Sequence, residues 1–127
     1  MIYLASPYTH ADPAVMEARF DAVCRAAGAL MAAGEMVYSP IAHTHPIAIR
    51  CALPRDFAFW EAFDKRMISA CDSLTVLKLD GWTESHGVKS EMDIAFRLGI
   101  PIAYLEPSRE PQDESARSRP AGAGLQS

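Results

Sequence analysis

A chain of 127 residues, half of them hydrophobic, is long enough to bury one compact core and too short for two. Its formal charge of −4 argues against a nucleic-acid backbone as the main partner, because such proteins carry a basic stripe. Cys24, Cys51 and Cys71, an odd and widely spaced set with no C-x-x-C pair, read as small buried hydrophobes in a reducing compartment.

The N-terminal "MIYLASPYT" has no basic region and no apolar run long enough for a signal peptide or a membrane span, so the expectation is a cytoplasmic protein without a membrane partner. Residues 2–5 form a short apolar run, read as a buried first strand. Asp12 and Pro13 supply an N-cap and an N1 proline. Val15, Ala18, Ala22, Ala26, Ala29 and Leu30 then recur at helical spacing until Gly34 stops the helix. "MVYS" (36–39) is a second strand, and 40–55, with three prolines and two histidines, is expected to be a long loop of the kind that often carries function. A second helix is predicted over about 56–70, a third strand over 73–79, a third helix over 87–98 and a fourth strand over 102–105. From Glu106 onward almost nothing can be buried, which predicts a domain over 1–107 and a disordered, dispensable tail over 108–127.

Strands alternating with helices imply βαβ units. The expected fold is a small doubly wound, flavodoxin-like α/β domain with a parallel sheet of four to five strands flanked by helices. Ligands of such folds bind beyond the carboxyl ends of the strands, where the strand order switches. That places Ser6 and Tyr8 after the first strand, His43 after the second, and Ser85 and Gly87 after the third along one edge, as candidate substrate-binding residues.

On a helical projection Val88, Met92, Ala95, Leu98 and Gly99 share one arc, and Glu91 falls inside it. In the helix at 56–70, Phe57, Trp60, Met67 and Cys71 make the stripe, with Asp64 in its middle. Two helices therefore each turn a carboxylate toward the core, where charge is costly to bury. Glu91 could be satisfied by backbone amides and the helix dipole, and Asp64 could pair with Lys65, Arg66 or His43. Two such groups flanking a strand–turn–helix junction point instead to a site. "HTH" (His43, His45) is weak support for a metal ion, and no metal or cofactor is expected: there is no P-loop, no G-x-G-x-x-G after the first strand and no G-x-S-x-G elbow. A buried carboxylate can also act as a base or a nucleophile, and a carboxylate nucleophile suits substitution at an anomeric carbon.

The segment S-x-G-x-x-x-E (Ser85, Gly87, Glu91), following "CDSLTVL", resembles the nucleoside 2-deoxyribosyltransferases and the related 2′-deoxynucleoside 5′-monophosphate N-glycosidases, and is closest to their small bacterial members without an assigned activity. The resemblance spans the first strand and residues 60–105. It implies Glu91 as the nucleophile on the deoxyribose C1′, Ser85 against the sugar or phosphate, Asp64 in the site eight residues before Asp72, and Tyr3 near the nucleophile. It also implies a homo-oligomer acting on a small nucleoside or nucleotide. The chain departs from the pattern in carrying Lys89 where many members have a glycine. Its "SPYTH" loop lacks the arginine of the monophosphate branch, for which Arg50 or Arg55 is the nearest substitute. Three readings remain open at this level: an N-deoxyribosyl transferase or hydrolase, a non-catalytic nucleotide-binding module, and a glycosidase of an NAD- or ADP-ribose-type substrate.

Overall fold

The computed structural model describes residues 1–108. Apart from Ser108, the expected tail at 108–127 lies outside the described residues. The elements in chain order are β1 (Ile2–Ala5), α1 (Pro13–Ala32), β2 (Val37–Tyr38), α2 (Pro40–Cys51), α3 (Phe57–Ser69), β3 (Ser73–Leu77), α4 (His86–Arg97) and β4 (Ile102–Leu105). A single 3₁₀ turn at Trp82–Glu84 precedes α4. All strand pairs are parallel, and the four-stranded sheet has the order β2-β1-β3-β4. This is the doubly wound arrangement, with its switch point between β1 and β3.

Alternation along β1 assigns the two faces of the sheet. Tyr3 and Ala5 join Ile68, Leu74, Val76, Val88 and Ala95 in the core beneath α3 and α4. Leu4 points the other way and packs with Val23, Ala26, Ala27 and Leu77 beneath α1. The Tyr3 hydroxyl therefore lies on the face that α3 and α4 cover.

Two expectations need correction. The segment 40–55 is not a long loop: Pro40–Cys51 is a helix. Ser39 Oγ accepts from the Ala42 amide at 3.1 Å, and Pro40 stands at the first helical position, where no amide donor is needed. Pro46 removes only one interior amide donor, and Thr44 donates its hydroxyl proton to the Pro40 carbonyl at 2.8 Å. The buried face runs Pro40, Thr44, His45, Ala48. Its spacing is helical, but half of it is polar and one member is proline, so hydrophobic periodicity does not reveal it. In α1 the buried stripe is Met16, Val23, Ala26 and Ala27, whereas Ala18 and Ala29 are exposed. An alanine-rich helix offers apolar groups on every side, and the larger Met16 and Val23 choose the face because they bury more area.

Candidate active site

The loops beyond β1 and β3, the buried face of α2 and the starts of α3 and α4 enclose a cleft of about 680 Å³. Three elements carry buried polar groups into it. The 3₁₀ turn and Ser85, whose Oγ accepts from the Val88 amide at 3.1 Å, start α4 beside the sheet edge. One and a half turns later α4 carries Glu91 inward, 5 % exposed. Helix α3 brings Asp64, 6 % exposed, and the β1 loop brings Ser6, 5 % exposed.

All three buried groups line the cleft. Tyr3, fully buried behind them, donates its hydroxyl proton to Glu91 Oε2 at 2.7 Å. Asp64 Oδ1 and Ser6 Oγ have no hydrogen-bond partner. Buried polar atoms are seldom left unpaired, so these two face a place where a ligand's polar groups fit. The alternatives open at the sequence level are thereby resolved. Glu91 is held by a phenol rather than by backbone amides, and Asp64 pairs with none of Lys65, Arg66 or His43.

Burial sets the electrostatics. Loss of solvation pushes the Glu91 carboxyl up to about 8, with the Tyr3 hydrogen bond opposing and the nearby Asp64 adding to the rise. Desolvation likewise raises Asp64 to about 7, again opposed by the Tyr3 hydroxyl. Tyr3 itself is raised far above the usual phenol range, by burial first and then by the two carboxylates. The single Tyr3 hydroxyl thus opposes the rise of both carboxyls.

Of the candidate substrate-binding residues, Ser6, Tyr8, Ser85 and Gly87 line the cleft and His43 does not. His43 is exposed, against Tyr38 and stacked on Phe63 with ring centroids 6.2 Å apart. Its neighbour His45 is the histidine of the cleft wall, 5 % exposed. The helix explains the exchange: positions i and i+2 point to nearly opposite sides, so "HTH" cannot present both rings to one ligand. Among the described residues, no group of three or more His, Cys, Asp or Glu side chains is placed to hold a metal ion.

Two cations line the cleft: Arg19, which sequence reasoning missed, and Arg55, one of the two arginines it named. Arg19, reaching from α1, donates to the Thr9 carbonyl at 3.1 Å and the Asp80 carbonyl at 3.2 Å, tying together the two loops that flank the cleft. Arg55, in the α2–α3 connection, lines the cleft beside Tyr8 and opposes the rise that burial imposes on the Tyr8 phenol. Arg50 instead lies on the exposed end of α2, its guanidinium toward the Pro46 carbonyl.

Gly81 completes the loop junction with φ +88, and a Cβ there would stand 2.8 Å from the Arg19 guanidinium. Gly81→Ala is therefore expected to cost about 1–2 kcal/mol, mostly from the left-handed backbone, and to loosen both loops. A urea titration reads the first effect. An unchanged midpoint would show that the loop adopts another conformation freely.

The architecture and the buried pair lie within one contiguous stretch, and a family model matches that same stretch, residues 1–106. The chain belongs to this family. Its description is "Domain of unknown function (DUF1937)". Membership covers every element from β1 to β4 and thus the whole cleft. No curated protein matches the chain. Among the described residues, no helix of this family member is long and apolar enough to cross a membrane.

Proposed function

We propose that the protein cleaves the N-glycosidic bond of a deoxynucleoside or nucleotide, as a transferase or hydrolase, through Glu91 as nucleophile. The observation that carries this reading is the pair of buried carboxyls in one cleft. One is hydrogen-bonded to a buried tyrosine, and the other has an oxygen without a partner. An oriented carboxylate can capture an oxocarbenium-like sugar as a glycosyl ester. Glu91 must be ionised to do so. The Tyr3 proton and the positive charge that develops on the sugar both favour the anion once substrate is in place.

Asp64 and Ser6 supply buried, unpartnered oxygens for the sugar hydroxyls, and Ser85 and Gly87 border the site at the start of α4. Ser85 Oγ spends one lone pair on the Val88 amide and keeps its proton to donate. Under this reading Asp64→Asn lowers kcat/KM by roughly tenfold or more and weakens ligand binding in parallel, because it alters a contact made before and during the reaction. Steady-state kinetics beside calorimetry separates this from a loss confined to kcat.

The decisive experiment incubates the protein with deoxynucleosides and deoxynucleotides, following free base by chromatography and the intact protein by mass spectrometry. Base release with a sugar adduct on Glu91 supports the proposal. A second reading, a nucleotide-binding module without turnover, is favoured by one observation: both carboxyls are buried in the cleft, and the lost solvation that raises Glu91 to about 8 and Asp64 to about 7 favours neutral hydrogen bonding over a standing anion. Clear binding without base release would select it. Cytoplasmic residence and a homo-oligomeric state belong to the same proposal, and sedimentation checks the latter.

A further inference from the structure

The wall of the cleft formed by the β1 loop and α2 holds a hydrogen-bonded chain that the reading above leaves unused. Tyr8 lines the cleft, and its hydroxyl meets His45 Nδ1. The other ring nitrogen, Nε2, lies 3.0 Å from Glu17 Oε1. Phe20 stacks on the imidazole at 4.2 Å between ring centroids, and Tyr8 meets it edge-on at 82°. The ring is buried, while the Glu17 side chain is 65 % exposed. A carboxylate orients the histidine, and the histidine orients a phenol that faces the ligand space. Both ring nitrogens are engaged, so the imidazole is fixed in a single orientation.

The reaction proposed above has a gap that this chain fits. Glu91 supplies the attacking oxygen and Asp64 a sugar contact, but the departing base needs a proton. We infer that Tyr8 is the proton donor to that base, with His45 and Glu17 as the positioning residues that recharge it.

In the reactive form His45 carries both ring protons, Nε2–H donating to Glu17 and Nδ1–H to the Tyr8 oxygen. As Glu91 forms its bond to C1′, the C1′–N bond breaks and its electron pair goes to the base nitrogen. That nitrogen takes the Tyr8 proton, and Tyr8 takes the Nδ1 proton, leaving His45 neutral. Glycosyl-ester opening runs the chain backward. The oxygen of water or of an acceptor bonds to C1′, and the ester electron pair returns to Glu91. The proton released passes to Tyr8, whose own proton restores the imidazolium. Over one turnover no proton is gained or lost. Arg55 beside Tyr8 stabilises transient negative charge on the phenol oxygen.

This inference rests on Glu91 as nucleophile, and the test separates the two. Release of base from 2′-deoxyadenosine, 2′-deoxyguanosine, 2′-deoxycytidine and thymidine is compared with release of p-nitrophenolate from p-nitrophenyl 2-deoxyribofuranoside, whose leaving group needs no proton. Tyr8→Phe and Glu17→Gln are each expected to lower base release at least tenfold more than p-nitrophenolate release. A merely structural role would lower both alike, and equal losses, or none, overturn the relay. Glu17 is exposed, so Glu17→Gln keeps the fold and carries the test if Tyr8→Phe does not fold. Glu91→Gln is expected to lose both reactions; if it retains both, the nucleophile fails whatever the relay does. A wild type that releases p-nitrophenolate but no base overturns the relay and the nucleoside substrate while leaving Glu91 as nucleophile, and one that releases neither overturns the nucleophile as well.

Discussion

Glu91→Gln is expected to reduce base release by roughly three orders of magnitude or more, while the affinity for the same nucleoside stays within a few-fold of wild type. The amide keeps the side-chain shape and an oxygen that can accept from the Tyr3 hydroxyl, whose bond to Oε2 is 2.7 Å long. It cannot form the glycosyl ester. Since the carboxyl it replaces holds its proton up to about 8, the substitution exchanges one neutral buried group for another near pH 7, and the variant should fold normally. Glu91→Ala should be equally inactive but for a mixed reason: it also leaves the buried Tyr3 hydroxyl without its acceptor, which costs about 1–3 kcal/mol. The sequence suggests that alanine here could stabilise the protein by removing a charge from an apolar arc, and the Tyr3 hydrogen bond removes that expectation. Chromatographic base release and calorimetric binding check both variants. Release at the wild-type rate by Glu91→Gln would end the nucleophile assignment.

The second large effect is on stability, and its sign follows from the direction of the shifts. Glu91 and Asp64 are raised in the folded chain to about 8 and about 7, far above their values in an unfolded one. The folded state therefore binds more protons than the unfolded state across the interval between. Stabilisation from this pair is complete below the ordinary carboxylate range and is lost as pH rises through the folded values. Unfolding free energy should fall by a few kcal/mol from about pH 5 to about pH 8, with most of the change above pH 6 lost in an Asp64→Asn/Glu91→Gln double variant. The difference between wild type and variant isolates the pair from surface groups such as Asp72, which the chain's amino terminus holds in the opposite direction. Urea titrations at several pH values measure it. A wild-type stability that is flat or rises over this range would mean that both carboxyls are solvated. Ligand that binds the ionised Glu91 should offset the loss at the upper end.

The sequence alone determined the alternation of strands and helices, because "IYLA", "SLTVL" and "IAYL" are short apolar runs bounded by caps and breakers, and parallel pairing follows from the helices between them. It also determined that Glu91 and Asp64 point inward. Their helices each bear a single stripe wide enough to enclose them, and the structure buries both. The same logic failed in α2 for a local reason. The signal read at Asp12 and Pro13, a capping side chain followed by an N1 proline, also stands at Ser39 and Pro40. Pro46 and two polar residues on the buried face hid the period.

Only the tertiary structure decided which histidine belongs to the cleft, since a two-residue offset means the same side of an extended loop edge and opposite sides of a helix. It alone brought Tyr3 against Glu91, 88 positions away along the chain, and placed Glu17 on His45 across 28. Periodicity tells a side chain which way to face within its own element. Which element it meets there is set by strand order and by how helices pack across a sheet, and those depend on the whole chain folding at once.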